Sequence, residues 1–267
     1  MKNEEIIPSD KSSILIDRFL KIEVSEKKGE VNDKFIPDGH AGMIFHFGKP
    51  AEFYDGEKHS PLPNFFISKP FLGNLDIRVS HENDSIIAIL NTSVLTRILN
   101  FSLEPYQKRS HFVKNFSFVE PLFTMLNEVS SFNDRASIIS DYFSREIIPA
   151  DYVKDEIDDI YFKILEEGGL RPINSILSEF NINPRTFRRN FIKRIGISAK
   201  GLSRIVRVNY FWKKILTISE QDFHNFIFEC KYCDQAHFIK DFKDITGETP
   251  NYFFNRDLSV VKLVSGI

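Results

Sequence analysis

Two cysteines in 267 residues, Cys230 and Cys233, are too few for a disulfide scaffold. No apolar run approaches the length of a membrane span. The opening MKNEEIIPSDKSS is acidic and polar and lacks the apolar segment of a secretion signal, so a cytoplasmic location without a membrane partner is expected. The histidines (His40, His46, His59, His81, His111, His224 and His237) include no H-x-H pair, and His40 and His46 have no evident third partner for a metal. Ser/His/Asp sets, phosphate loops and dinucleotide fingerprints are also missing. The expectation is therefore a chain that is not an enzyme and uses neither a metal nor a cofactor.

What is present is a protein of 42% hydrophobic residues, rich in phenylalanine and long enough for two domains. Its net charge of -2 conceals an asymmetry. Between Arg171 and Lys214 there are 11 Lys and Arg and a single acid, Glu179, a charge of +10. The remainder holds 24 basic and 36 acidic residues. A basic segment inside an acidic chain points to a polyanionic partner for that segment alone.

Asn183 to Gly196, NPRTFRRNFIKRIG, lies at the centre of the basic segment. Asn183 can cap a helix, Pro184 suits its first position, and Gly196 can end it in a left-handed turn. Phe187, Phe191 and Ile195 make an apolar stripe, with Arg185, Arg188, Arg189 and Lys193 on the other side. Such a helix fits a DNA major groove; the plain alternative is a solvated surface helix.

Up to about residue 91 the chain reads as short strands and turns. Leu20, Ile22 and Val24 alternate with charged residues, and Ala41 to Phe47, Asn64 to Ser68, Leu75 to Val79 and Ser85 to Leu90 are further strands. KKGE, PDGH and DGEKHSP read as turns, and the series suggests a small β-barrel or sandwich. Helical spacing then takes over. Asn91 or Thr92, Ser117 with Glu120, and Asp134 are the expected caps of three helices. Asp151 is expected to open a fourth, carrying Val153, Ile157, Ile160 and Ile164, with Pro149 at the domain boundary. Ile173 to Phe180, a turn with Asn181 at positive φ, and the basic helix have helix-turn-helix spacing. Ala199 to Leu216 makes a longer connecting helix, and Lys193, Arg204, Lys213 and Lys214 are candidates for phosphate contacts or plain surface charge.

A second copy follows 51 residues later: Phe187 matches Phe238, Phe191 matches Phe242, Gly196 matches Gly247, and the cap Asn183 matches Asp234. The frame repeats but the charge does not, since Asp222 to Gly247 holds three lysines against five acids. Gln235, Ala236, Lys240 and Lys243 lie opposite the apolar stripe; Gln can pair with adenine, Ala can meet a thymine methyl, and Lys can hold phosphate. Cys230 and Cys233 bracket the turn before this helix. Cys233 is a candidate redox switch if its pKa is lowered; the plainer reading makes Cys230 a core residue and Cys233 a turn residue.

The stretch Cys233-Asp-Gln-Ala-His-Phe-Ile-Lys-Asp-Phe-Lys243, followed by Thr246-Gly-Glu-Thr-Pro250, resembles the signature of the arabinose-operon regulator (AraC/XylS) family. Asn183 to Phe191 with Gly196-Ile-Ser198 resembles that family's first motif. The resemblance implies a transcription regulator, an activator by the family's usual habit. Its DNA-binding domain of seven helices would place two recognition helices in successive major grooves. Arg185, Arg188 and Arg189 would read bases in the first, and Gln235, Ala236 and Lys240 in the second. Double-stranded DNA is the expected partner, with a small-molecule effector, a second copy of the chain and RNA polymerase as further candidates. The chain departs from the family pattern at Leu177 and Ile227, where a small Ala is usual, and at Asn181 and Lys231, where Gly is usual. PDGHAGMIFHFG, at Pro37 to Gly48, resembles the start of the cupin-like sensor domain that precedes such DNA-binding domains.

The expected fold class is thus α+β. A cupin-like β-barrel with packed helices (1–150, sensing or dimerising) precedes an all-α domain with two helix-turn-helix units (151–256) and a tail (257–267). The alternative is a small-molecule-binding module or cupin-type enzyme whose DNA-binding domain is degenerate.

Overall fold

The computed structural model describes residues 2–24, 26–54, 56–103, 112–113, 116–215, 223–256 and 258. Leu216, His111 and all of the tail except Leu258 lie outside them.

Among the described residues the first half of the chain forms ten strands: β1 (Lys2–Ile6), β2 (Ile16–Glu23), β3 (Glu30–Phe35), β4 (Ala41–His46), β5 (Glu52–Tyr54), β6 (His59–Pro61), β7 (Phe65–Ser68), β8 (Leu75–Ser80), β9 (Ser85–Leu90) and β10 (Phe112–Val113). They make two antiparallel sheets, ordered β1-β2-β9-β4-β7-β10 and β3-β8-β5-β6. Apolar side chains of both sheets meet in one core, where Ile22, Ile44 and Phe66 of the larger sheet face Val79 of the smaller. The other face of the larger sheet buries Phe19, Met43, Phe45 and Ala88 against α1 (Thr92–Ile98), α2 (Val119–Asn127) and α3 (Phe132–Tyr142). Helices cover one face of the sheet and the second sheet covers the other, so β4 and β9 are almost wholly buried.

Several local expectations change. Lys2–Ile6 is an edge strand paired with β2, although its sequence is mostly charged. DGEKHSP is only partly a turn, because His59–Pro61 pairs back onto β5. Asn91 occupies the cap position of α1, but its side chain donates to Ile14 O instead of capping. Phe118, without a side-chain cap bond, precedes α2 in place of a Ser117–Glu120 box. Ser131 caps α3 by accepting from Asp134 N, which leaves Asp134 in the first turn, where its charge suits the helix dipole.

The second half is helical: α4 (Glu156–Glu166), α5 (Ile173–Leu177), α6 (Pro184–Ile195), α7 (Ala199–Ile215), α8 (Phe223–Glu229), α9 (Gln235–Thr246) and α10 (Pro250–Phe254). Helix α4 starts five residues after Asp151, because Asp155 and Asp158 form a reciprocal capping box; Val153 stays exposed. Gly169, just past α4, has φ +66° and sits so close to α7 that a Cβ would lie 2.3 Å from Ser203 O.

Two apolar cores divide the helices. Ile157, Ile160, Ile176, Phe187 and Phe191 centre the first, and Phe211, Trp212, Phe226, Phe238 and Phe242 the second, with α7 contributing to both. Asn181 is not among the residues with positive φ, but Lys231 is, at φ +61°. The chain after α8 closes through Tyr232 N to Ile227 O, and that reversal requires the left-handed residue that glycine would supply. Lys231→Gly is therefore expected to raise stability by about 0.5–1 kcal/mol, read as a higher denaturant midpoint.

Candidate nucleic-acid interface

Helix α6 is built as its residues dictate. The Asn183 side chain accepts from Arg185 N and Thr186 N, Pro184 opens the first turn, and Gly196 ends the helix at φ +83°. Phe187, Phe191 and Ile195 are buried. Arg185, Arg188, Arg189 and Lys193 are exposed, and their side chains form no ion pair with the described residues.

Helix α9 repeats the design. Asp234 accepts from His237 N, and Gly247 ends the helix at φ +77°. Phe238, Phe242 and Ile245 are buried, while Gln235, Ala236, Lys240 and Lys243 are exposed. Both helices have 12 residues, and both pack against α7. Ile227 is buried in the second core and Leu177 packs at the edge of the first, so alanine at either position would leave a gap.

Between the two units runs a groove of about 700 Å³, whose walls include Arg188, Lys200, Arg204, Arg207 and Lys240. Its cations fall into two sets. Arg204 pairs with Asp241 (2.8 Å) and Asp244 (2.7 Å), and Arg207 donates to Gly169 O, so both hold the helices together. Arg171 is tied to Glu167 and Glu179, the single acid of the basic segment, which also meets Lys163. Arg188, Lys200 and Lys240 have no such partner among the described residues. Lys200 escapes a reading of the repeat because its exposure depends on how α7 crosses the groove.

Lys213 is half-buried, and burial lowers its pKa, with Asp38 the largest opposing influence. Arg204 is thus a structural residue and not a free phosphate contact. Cys230 is buried, and burial with the neighbouring Glu229 pushes its thiol up to about 12; Cys233 is exposed. The thiolate form of Cys230 is suppressed, as in an inert core cysteine.

The first unit is bolted to the β-domain at its C-terminal end. Arg194 of α6 pairs with Asp155 (2.6 Å) and Asp158 of α4 and donates to Ser93 Oγ of α1 (2.9 Å). Asp158, fully buried, also accepts from Ser93, from Arg97 (3.0 Å) and from Tyr152 (2.8 Å). Leu103 N donates to Lys193 O at 2.9 Å. The second unit meets the other sheet through Arg256 and Asp33 of β3 (2.8 Å).

Residues 176–256 match a family model described as a helix-turn-helix domain. Among solved structures, ToxT from Vibrio cholerae O395 is similar at 13% identity, with 85% of this chain and 98% of that chain covered and a TM-score of 0.45. An unsaturated-fatty-acid-bound ToxT from Vibrio cholerae strain SCE256 follows at 12% identity, 89% and 96% coverage and a TM-score of 0.43. The AraC-like transcriptional activator CuxR matches at 8% identity, 82% and 87% coverage and a TM-score of 0.27. No curated protein sequence matches the chain.

Proposed function

We propose that this chain, which carries an AraC-type helix-turn-helix domain at residues 176–256, is a sequence-specific DNA-binding transcription regulator. One observation carries the reading: two capped helices of equal length flank α7, each burying its aromatic face, and Arg185, Arg188, Arg189 and Lys193 on one and Lys240 and Lys243 on the other are exposed without an ion partner among the described residues. Such faces are free to meet DNA at no cost in broken ion pairs.

In this reading Arg185, Arg188 and Arg189 contact base edges in one major groove, where arginine pairs bidentately with guanine. Gln235, Ala236 and Lys240 contact the next. Lys193, Lys243 and Lys200 hold phosphates. Residues 1–150 form the sensing domain, 151–256 the DNA-binding domain and 257–267 a tail. Control by a small-molecule effector is supported by the cavity between the two sheets, lined mainly by aliphatic and aromatic side chains.

Selection of sites from a random duplex pool tests the function. Enrichment of a defined sequence is expected, with affinity falling steeply as salt rises, by about 0.9 log units per log salt for each phosphate neutralised. No enrichment, or binding indifferent to salt, favours a small-molecule-binding module whose DNA-binding domain is degenerate.

A further inference from the structure

The space between the sheets is a cavity of about 100 Å³. That is smaller than the apolar cavity of about 150 Å³ that takes up benzene. Its walls are largely apolar, but His46 on β4 lines it, and this side chain is only 4% exposed. His46 Nε2 is buried and makes no hydrogen bond with the described residues. An unmet buried polar atom normally carries a cost, so a histidine facing an apolar cavity in this way points to a ligand.

The hydrogen bonds define which kind. Asn83 Nδ2 donates to Lys49 O (2.9 Å), and Asn83 Oδ1 accepts from Ser85 Oγ (2.8 Å), which fixes the amide orientation. The same Nδ2 lies 3.3 Å from His46 Nδ1, so Nδ1 is the acceptor and the ring proton sits on Nε2. Burial lowers the His46 pKa to about 4, and the ring is neutral near pH 7. The cavity thus offers one neutral N–H donor. The carboxylate at its wall, Asp38, accepts from Arg18 (3.2 Å) and from His40 N (3.0 Å), and lies 3.2 Å from His40 Nδ1.

The cavity wall is also a wall of the DNA-binding half. Ile36, Asp38 and His40 line the cavity. The alternating positions reach the helices: Pro37 O accepts from Asn209 of α7 (2.8 Å), and Gly39 O accepts from Tyr161 of α4 (3.1 Å). A Cβ on Gly39 would lie 2.7 Å from Leu202 of α7, so nothing separates this segment from the connecting helix. Trp212, the single tryptophan, donates to Asn209 Oδ1 (3.1 Å) and reports on this contact.

We propose that the cavity binds a compact, uncharged, mostly apolar molecule with one hydrogen-bond acceptor for His46, such as a cyclic ether or ketone, and that residues 35–40 pass its occupancy to α7. This rests on the reading of the β-domain as an effector domain. The test uses the full chain, with the small cyclic ether oxetane, its hydrocarbon counterpart cyclobutane, and the anion acetate as probes. Binding is read from Trp212 emission and from the 15N shift of His46 Nε2. Oxetane is expected to shift both signals and the carboxylate neither. His46→Leu should weaken oxetane about tenfold and spare cyclobutane, while His46→Gln, which keeps a donor, should recover part of the loss. If His46→Leu does not fold, the comparison with His46→Gln alone carries the test. Equal effects on ether and hydrocarbon, or preference for the carboxylate, overturn the assignment of His46 but leave an effector cavity. If neither ether nor hydrocarbon moves either signal at millimolar concentration, the effector cavity itself is overturned, while DNA binding is judged separately by site selection.

Discussion

Asp158→Ala is expected to lower the unfolding free energy by about 3–5 kcal/mol, the usual cost of removing one partner from a buried ion pair. Asp158 is fully buried and joins three parts of the chain: Arg194 of α6, Ser93 and Arg97 of α1, and its own capping box with Asp155. Alanine takes a shared buried acceptor from Arg194, Arg97, Ser93 and Tyr152 and removes the second half of the box. Urea unfolding followed by Trp212 fluorescence measures the loss.

The pH dependence separates charge from shape. Burial by itself would raise the Asp158 pKa, but the hydrogen bond from Ser93 and the charge of Arg194 outweigh it and hold the carboxyl below its ordinary value. Its contribution is therefore present in full above the unfolded carboxylate value, about pH 4, and is lost as pH falls from there through the depressed folded value. The stability gap between the wild type and Asp158→Asn should narrow on acidification. A gap of constant size across that window would mean that packing, and not the charge, accounts for the residue.

The local frame of α6 and α9 was legible in the chain, because it depends on neighbours in sequence. Asn183 and Asp234 cap within three residues, and the phenylalanines recur at helical spacing. Long-range partners were not legible. Arg194 reads as one more cation in a basic run, and only the fold brings it to Asp155, Asp158 and Ser93. Arg204 looks free until Asp241 and Asp244 arrive from α9. The start of α4 was misplaced because Asp151 and Asp155 are both competent caps; Asp155 prevails because Asp158 completes its box. Strand β1 was missed because an edge strand can be charged on its exposed positions and leaves little alternation to detect. His46 drew attention only as a failed metal ligand, since the orphaned Nε2 depends on Asn83, which lies 37 residues away.

In DNA binding, Arg188→Ala combined with Arg189→Ala is expected to have the largest effect. Each bidentate guanine contact is worth about 1–3 kcal/mol, so affinity for a selected site should fall by roughly tenfold or more per contact and sequence preference should relax in that half of the site. Both side chains are exposed and have no ion partner among the described residues, so the fold should survive the change. Lys193→Ala is the contrasting control: it should weaken all sequences alike and reduce the salt slope by about one unit if it holds a phosphate. The two arginines carry much of the proposed reading, since the second unit offers fewer cations and Arg204 is committed internally.

The most direct measurement is base-contact footprinting of the wild-type chain and the Arg188→Ala, Arg189→Ala chain on a selected duplex. The two-helix account predicts two contacted blocks in successive major grooves, about 10 base pairs apart, with one block erased by the double substitution and the other retained. A single block in the wild type, or two blocks unchanged by the substitution, would contradict it.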